Sequence, residues 1–305
     1  MEFVLKLLEF INFVQIFVLM KFALFIPISA IVLLSACTKE IGPAIDFSKV
    51  QAKDTFYMAP VENAQLKNVL IEEFTGVKCP NCPDGHDIVA TIQNANPNRV
   101  IAIGYYPFNQ AQTQPLAGLT KQDFRITDAT DLSTFLGGVQ FLPIAAVDRK
   151  MFGGAILNAR TLWSNNVQTQ LAMATPINMQ LSVVYDDVTR EAVIKTSLKY
   201  TNALSNKHNI SIAIYENNIV DAQEYPSYID SNYNFKHVLR DMITPIGGAS
   251  VLDTLTTKAA GLVFEKTILY TLPTNWNPAN CKIVAFVHDA AATKEVYQVI
   301  EKSVK

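Results

Sequence analysis

The stretch EFTGVKCPNCPDGH, from Glu73 to His86, decides the fold of this chain. It overlaps an apolar run, VLIEEFTG at residues 69–76, and it places Cys79 and Cys82 two residues apart among turn-forming residues. Four kinds of chemistry use such a cysteine pair: a redox couple, half of a metal site, a haem attachment or an inert disulfide. The residues around the pair narrow this choice.

Two of these chemistries fit the surrounding residues poorly. Covalent haem attachment needs a histidine directly after the second cysteine, and Pro83 stands there. A zinc site needs four ligands, of which Cys79, Cys82 and His86 could supply three, but no second pair of cysteines or histidines lies at a suitable spacing. The sequence therefore excludes haem attachment, and we expect no metal and no other cofactor.

A redox couple needs its first thiol at the N-terminus of a helix, where unpaired N–H groups and the helix dipole favour the thiolate. The apolar run delivers Cys79 to such a position, and Pro80 suits the first helical residue. Apolar residues then recur at helical spacing: Ile88, Val89, Ile92 and Ala95. Because RVIAIGYY at residues 99–106 reads as a second buried strand, the pattern predicts a parallel strand–helix–strand unit.

The pattern of the chain changes at Pro176. Before it we predict a helix around residues 131–136, a strand at 144–148 and a helix at 158–172. After it, apolar and polar residues alternate, as in antiparallel strands that have one face exposed to solvent. These strands are predicted at residues 177–185, 192–200, 210–215, 261–272 and 282–289, with 221–260 as a long irregular loop.

We predict an α/β domain followed by an antiparallel β-sandwich of immunoglobulin-like type. The Cys-Pro-Asn-Cys motif between strand and helix resembles the thioredoxin family, which implies that the first is an α/β thioredoxin-like domain. We place the first domain at residues 56–175 and the second at 176–305, since the strand pattern changes between them. No internal repeat is visible.

The N-terminus has the form of a lipoprotein signal peptide. MKFALFIPISAIVLLSAC, from Met20 to Cys37, has one lysine, an apolar run and small residues before the cysteine. We expect residues 1–36 to be removed and the Cys37 thiol to carry a lipid, with 37–55 as a tether. Residues 1–19 would then precede the true start of translation, at Met20. The alternative is a transmembrane anchor, but Lys21 would lie deep in lipid.

Composition and the lipid anchor together restrict the partners of this protein. The chain has 25 Lys and Arg against 27 Asp and Glu, a net charge of -2, and no dense basic run, so nucleic acid is not expected. Thr38 after Cys37 does not resemble an inner-membrane retention signal, so we predict a protein anchored in the outer membrane. Its folded part would lie where disulfides persist.

The motif and its context resemble the thioredoxin family: a strand, Cys-Pro-Asn-Cys, a helix, a strand, and a later proline that opens another strand. The resemblance implies that Leu142-Pro143 is the cis-proline loop that binds an extended substrate. It also implies that Glu73 is the buried acid that moves the proton of the second thiol. Two departures are Lys78, where thioredoxins usually have Trp, and the long insert at residues 107–136.

A more specific resemblance covers most of the mature chain. The segments EEFTGVKCPNCPDGH, QFLP and NFKHVLRDM, together with the β-rich C-terminus, are similar to the outer-membrane-protein-28-related lipoprotein family. That family implies a lipid-anchored envelope protein with a thioredoxin-like domain. It implies no particular substrate.

Two functions remain open at this point. In the first, the protein is a thiol-disulfide oxidoreductase: Cys79 attacks a partner protein's disulfide, Cys82 resolves the mixed disulfide, Pro143 shapes the groove and Glu73 assists proton transfer. In the second, the protein is a non-catalytic binding or adhesion lipoprotein, and Cys79–Cys82 is a permanent disulfide. Fold resemblance alone does not decide between them.

Overall fold

The computed structural model of this chain describes residues 52–291 and 293–305. The helices in this part are α1 (Cys82–Ala95), α2 (Thr127–Phe135) and α3 (Trp163–Leu171), and short 3-10 turns lie at Ala111–Thr113, Arg160–Leu162 and Pro278–Asn280. The strands are β1 (Lys53–Met58), β2 (Val69–Phe74), β3 (Val100–Tyr105), β4 (Ile144–Val147), β5 (Leu157–Ala159), β6 (Ile177–Tyr185), β7 (Glu191–Tyr200), β8 (His208–Glu216), β9 (Ile219–Glu224), β10 (Ile229–Phe235), β11 (Val238–Met242), β12 (Ala249–Ser250), β13 (Leu262–Thr271), β14 (Cys281–Asp289) and β15 (Val296–Ser303). The fold is mostly β-sheet with few helices.

Three sheets contain these strands. A nine-stranded mixed sheet has the order β15-β14-β8-β11-β3-β2-β4-β5, with β12 paired to β8. A four-stranded antiparallel sheet has the order β1-β13-β7-β6, and β9 and β10 form a separate antiparallel hairpin. The large sheet contains strands from both sides of residue 175. The domain boundary predicted there stays a prediction.

The predicted parallel strand–helix–strand unit is confirmed. β2 and β3 run parallel from the pair Val69–Val100 to the pair Phe74–Tyr105, and every residue of both strands is buried. Burial on both faces explains their near-continuous apolar sequences, interrupted in β2 by Glu72 and Glu73. On its other edge β2 pairs antiparallel with β4, which the sequence predicted as the strand after Pro143.

Apolar side chains cover both faces of β2. Val69 and Ile71 join a cluster with α1 and α3, through residues such as Val89 and Trp163. On the opposite face Leu70 joins a cluster that includes α2 residues and both motif cysteines. A separate cluster lies between the four-stranded sheet and strands β8 and β14. The alternation follows from the two-residue period of a strand.

The prediction of an irregular loop at residues 221–260 is wrong. The segment contains most of the β9–β10 hairpin, all of β11 and the short strand β12. The sequence of β10, IDSNYNF, is polar and its residues are largely exposed, so it lacks the apolar alternation by which a strand is recognised. Pairing with β9 makes it a strand.

The predictions for the N-terminus concern residues that the structure does not describe. The signal peptide at residues 1–36, Cys37 and the tether up to residue 51 lie outside the described ranges. No helix within those ranges is long and apolar enough to span a membrane. The thioredoxin-like and immunoglobulin-like assignments stay predictions.

Candidate functional site

The Cys-Pro-Asn-Cys turn closes a disulfide at the start of α1. Cys79 and Cys82 have bonded Sγ atoms and a Cα–Cα distance of 5.3 Å. The Cys82 amide donates to the Cys79 carbonyl oxygen at 3.0 Å, and α1 begins at Cys82 with Pro83 in its first turn. Pro80 was predicted as the first helical residue and instead lies in the turn, before the helix. A proline is tolerated at position 83 because the backbone N–H groups of the first helical turn have no acceptor within the helix.

Both cysteines are buried, with 1% of Cys79 and none of Cys82 exposed. Backbone and side-chain contacts enclose the turn on two sides. The Lys78 amide donates to the Gln112 carbonyl oxygen at 2.8 Å. From the hairpin, Gln223 Nε2 donates to the carbonyl oxygen of Cys79 at 3.2 Å. The disulfide is therefore closed to a large partner in this conformation.

The hairpin binds the same turn at two further points. Gln223 Nε2 lies 3.3 Å from the Gly76 carbonyl oxygen, and the Glu224 amide donates to the Val77 carbonyl oxygen at 2.9 Å. Val77 also packs with hairpin residues Ile219 and Phe235 in an apolar cluster. Since β9 and β10 belong to no larger sheet, these contacts help to hold the hairpin on the turn.

Pro143 and Glu73 meet at α1. The Leu142–Pro143 peptide bond is cis, as the resemblance implied. A Cβ atom built at Gly85 would lie 2.6 Å from Glu73 Oε1 and 3.1 Å from Pro143 Cβ and Cγ. The structure thus brings the predicted Glu73 and Pro143 together against the helix that Cys82 begins, and only glycine fits between them at Gly85.

Glu73 is a buried carboxyl whose Oε1 has no hydrogen-bond partner among the described residues. It is 4% exposed, and no donor in the described residues reaches its Oε1. Burial raises the pKa of Glu73 to about 8, because removal from water disfavours the charged form. Glu73 therefore carries a proton at neutral pH and can either donate it or, above that range, accept one.

His86 is a site residue whose role the sequence did not show. The sequence indicates it only as a possible metal ligand, yet its Nε2 lies 2.8 Å from Thr75 Oγ1 and its Nδ1 2.7 Å from Tyr233 Oη. The same Nε2 lies 3.9 Å from Glu73 Oε1. Burial lowers the pKa of His86 to about 4, so the ring is neutral at pH 7. Its position four residues after Cys82, one helical turn along α1, was the available signal.

A cavity of about 550 Å³ opens beside these groups. We call it the side cavity. Its walls come from β2, α1, β3, the 217–218 turn and β10 with the residues after it. Glu73, His86 and Tyr233 all line it. Among residues 52–291 and 293–305, no three His, Cys, Asp or Glu side chains are grouped as ligands for a metal.

A family model described as "Outer membrane protein Omp28" matches residues 136–305. The matched region contains Pro143 and the hairpin, whereas Glu73, Cys79 and Cys82 precede it. No curated protein matches the chain significantly.

Solved structures resemble this chain at low sequence identity. HBP35 of Porphyromonas gingivalis is 15% identical with a TM-score of 0.61, over 80% of this chain and 77% of that one, which shows a shared fold alone. A protein of Agrobacterium tumefaciens has 12% identity and a TM-score of 0.44, over 78% of this chain and 95% of that one. A domain of the outer membrane lipoprotein Omp28 from Porphyromonas gingivalis has 21% identity and a TM-score of 0.29, over 43% of this chain and 89% of that one.

Proposed function

The chain belongs to the Omp28 family of outer membrane proteins, and we propose that it is a lipid-anchored envelope protein that exchanges disulfides with partner proteins through Cys79 and Cys82. Cys37 is the proposed site of the lipid. The proposal has two parts, the chemistry at the turn and the anchor, and each has its own test.

The observation that carries the chemistry is the buried carboxyl of Glu73, whose Oε1 has no hydrogen-bond partner among the described residues. Burying a carboxyl without a hydrogen bond costs free energy, and a purely structural disulfide gains nothing from one nearby. A resolving thiol does gain from it, because Cys82 must lose a proton to attack and regain one as a leaving group. The contact of Gly85 with both Glu73 and Pro143 places this carboxyl at the helix that Cys82 begins.

The proposed exchange follows ordinary thiol–disulfide chemistry. The Cys79 thiolate attacks a sulfur of the partner's disulfide, which breaks and leaves Cys79 in a mixed disulfide. Glu73 releases its own proton to the side cavity and, as the carboxylate, accepts the proton of Cys82. The Cys82 thiolate attacks the Cys79 sulfur, which releases the partner thiolate and closes Cys79–Cys82. The partner gains two electrons, so an external dithiol must reduce the protein again.

Several features of the fold support this assignment. The parallel strand–helix–strand unit, the antiparallel β4 beside β2 and the loop at Pro143 occur in the order expected of a thioredoxin-like domain. In that arrangement Pro143 forms part of the groove that receives an extended partner segment.

One observation favours the second function. Cys79 is only 1% exposed, and a disulfide that is never uncovered would act as a permanent constraint in a binding or adhesion lipoprotein. The two functions differ in whether a partner can reach Cys79 Sγ.

A trapping experiment separates these functions. The Cys82→Ser protein, expressed in the envelope, keeps Cys79 but cannot resolve a mixed disulfide. We expect partner proteins that are linked to it and released by reductant, and none with the Cys79→Ser/Cys82→Ser control. Absence of linked partners, together with a wild-type disulfide that resists dithiothreitol in the folded state, contradicts the enzyme and supports the structural disulfide.

The anchor is tested by fractionation. Cys37→Ser should leave the outer-membrane fraction and lose incorporation of a labelled fatty acid, since the sulfur that accepts the lipid is gone. Cys281→Ser, which changes a buried free cysteine instead, should behave as wild type. Retention of label in Cys37→Ser would overturn the proposed lipid site.

A further inference from the structure

We propose that His86 passes protons between Glu73 and the side cavity during disulfide exchange at Cys79 and Cys82. The inference rests on the proposed function and adds a residue to it. His86 acts on the cysteines through Glu73, so its role is that of a positioned proton carrier.

Glu73 needs a route by which its proton can reach water. Its Oε1 lies against Gly85 and near the Pro143 ring, at the helix that Cys82 begins. Across the ladder Glu73 pairs with Gly104, which has no side chain, and both residues line the side cavity. The open direction from the carboxyl therefore leads into this cavity.

His86 lies on that route. Its Nε2 is 3.9 Å from Glu73 Oε1, a distance that a small side-chain rotation closes, and it shares a hydrogen bond with the Thr75 hydroxyl. Its Nδ1 is hydrogen-bonded to the hydroxyl of Tyr233, and Tyr233 also lines the cavity. Both ring nitrogens thus contact hydroxyl groups, which can donate or accept. A neutral imidazole in this setting can accept a proton at one nitrogen while it releases one from the other.

Other charged and titratable groups face the same space. They come from α1, from the end of β3 and from the segment around β10: Asp87, Tyr106, Lys236 and His237. Burial lowers the pKa of His237 to about 3, so this second imidazole is also neutral at pH 7. Of the two histidines, His86 is the one that the structure places within 4 Å of Glu73.

Reduction of the disulfide by dithiothreitol provides the assay. One thiolate of the probe attacks the Cys79 sulfur, the disulfide breaks, and the departing Cys82 sulfur takes the proton of Glu73. The second thiolate attacks the mixed disulfide, forms the cyclic disulfide of the probe and releases Cys79. Two electrons pass to the protein. Glu73 takes a replacement proton from His86 as it protonates Cys82, so the breaking of the disulfide depends on His86.

The first measurement compares wild type, His86→Ala, His86→Gln and Glu73→Gln at pH 7, with folding checked by circular dichroism. We expect both His86 variants to be reduced about 100-fold more slowly than wild type, the lower end of what a positioned proton-transfer group contributes. His86→Gln keeps a polar side chain of similar length. It provides the reduction rate without the imidazole if the alanine variant folds poorly.

Chemical rescue separates proton transfer from packing. Added imidazole should enter the side cavity of His86→Ala and restore most of the rate, whereas pyrazole, which has the same shape but is a far weaker base, should not. Equal rescue by pyrazole, or unchanged rates in both His86 variants, overturns the inference.

The controls show which proposal has failed. If wild type and Glu73→Gln are reduced equally slowly and Cys82→Ser traps no partner, the proposed function itself fails. If Glu73→Gln is slow but both His86 variants match wild type, exchange assisted by Glu73 stands and the role of His86 alone is rejected.

Discussion

Glu72 and Glu73 are neighbours in β2, and the first is fully paired whereas the second has an unpaired oxygen. Glu72 accepts two hydrogen bonds from Arg149, at 2.7 and 2.8 Å, and one from Tyr105 Oη at 2.8 Å. Glu73 points to the opposite face of the sheet, where its Oε1 meets Gly85 and Pro143. The two carboxyls therefore have different roles, structural for Glu72 and proposed catalytic for Glu73.

Removal of the Glu72 charge should strongly destabilise the fold. Glu72→Gln leaves the guanidinium of Arg149 buried without a counter-charge, and such a loss costs about 3–5 kcal/mol. Urea unfolding measures it. Glu72→Gln/Arg149→Met, which removes both charges, should recover much of the loss, and a double variant as unstable as the single one would contradict the charge argument.

The contribution of Glu73 to the free energy of unfolding should fall as the pH rises. The folded pKa of Glu73 is about 8, above its unfolded value, so between about pH 4.5 and 8 the folded state binds the extra proton. Wild-type stability therefore falls relative to Glu73→Gln as the pH rises through this window, by up to about 1.4 kcal/mol per pH unit.

The comparison with Glu73→Gln is needed because buried histidines act in the opposite direction. The lowered pKa of His86 makes stability rise with pH between about 4 and 6.5, in wild type and variant alike. Urea unfolding at several pH values gives the difference between the two proteins. A constant difference would mean that Glu73 titrates normally.

Gly85→Ala should destabilise the protein although alanine favours helices. The new Cβ would lie 2.6 Å from Glu73 Oε1 and 3.1 Å from the Pro143 ring, and overpacking of this kind costs about 1–3 kcal/mol. That cost exceeds the helix gain of about 1 kcal/mol. Thermal unfolding checks the sign. The matched control is Gly247→Ala, where the nearest atom would be 3.9 Å away.

Gln223→Ala should make the disulfide more reactive. The variant loses two hydrogen bonds from the hairpin to the turn, at Gly76 and Cys79, which together contribute about 1–3 kcal/mol. Because the hairpin then separates from the turn more easily, we expect dithiothreitol to reduce the disulfide faster than in wild type. Alkylation of the freed thiols measures the rate. Asn232→Ala, an exposed change in the same hairpin, should match wild type. Equal rates for all three proteins would mean that these bonds do not limit access.

The sequence by itself determined the strand–helix–strand unit, because β2 and β3 are buried on both faces and their apolar runs are nearly continuous. It also placed Glu73 six residues before Cys79 and marked Pro143 at the start of β4. These features depend on contacts that are local or repeat with the period of an element, so a pattern along the chain reveals them.

The tertiary structure alone decided the enclosure of the disulfide and the setting of Glu73. Gln223 reaches Cys79 across 144 residues of chain, and Tyr233 reaches His86 across 147. The β10 strand that carries Tyr233 is polar and has no apolar period, so its position depends on pairing with β9 and packing on the turn. Contacts between such distant residues leave no periodic signal in the sequence. They nevertheless decide whether Cys79 can be reached.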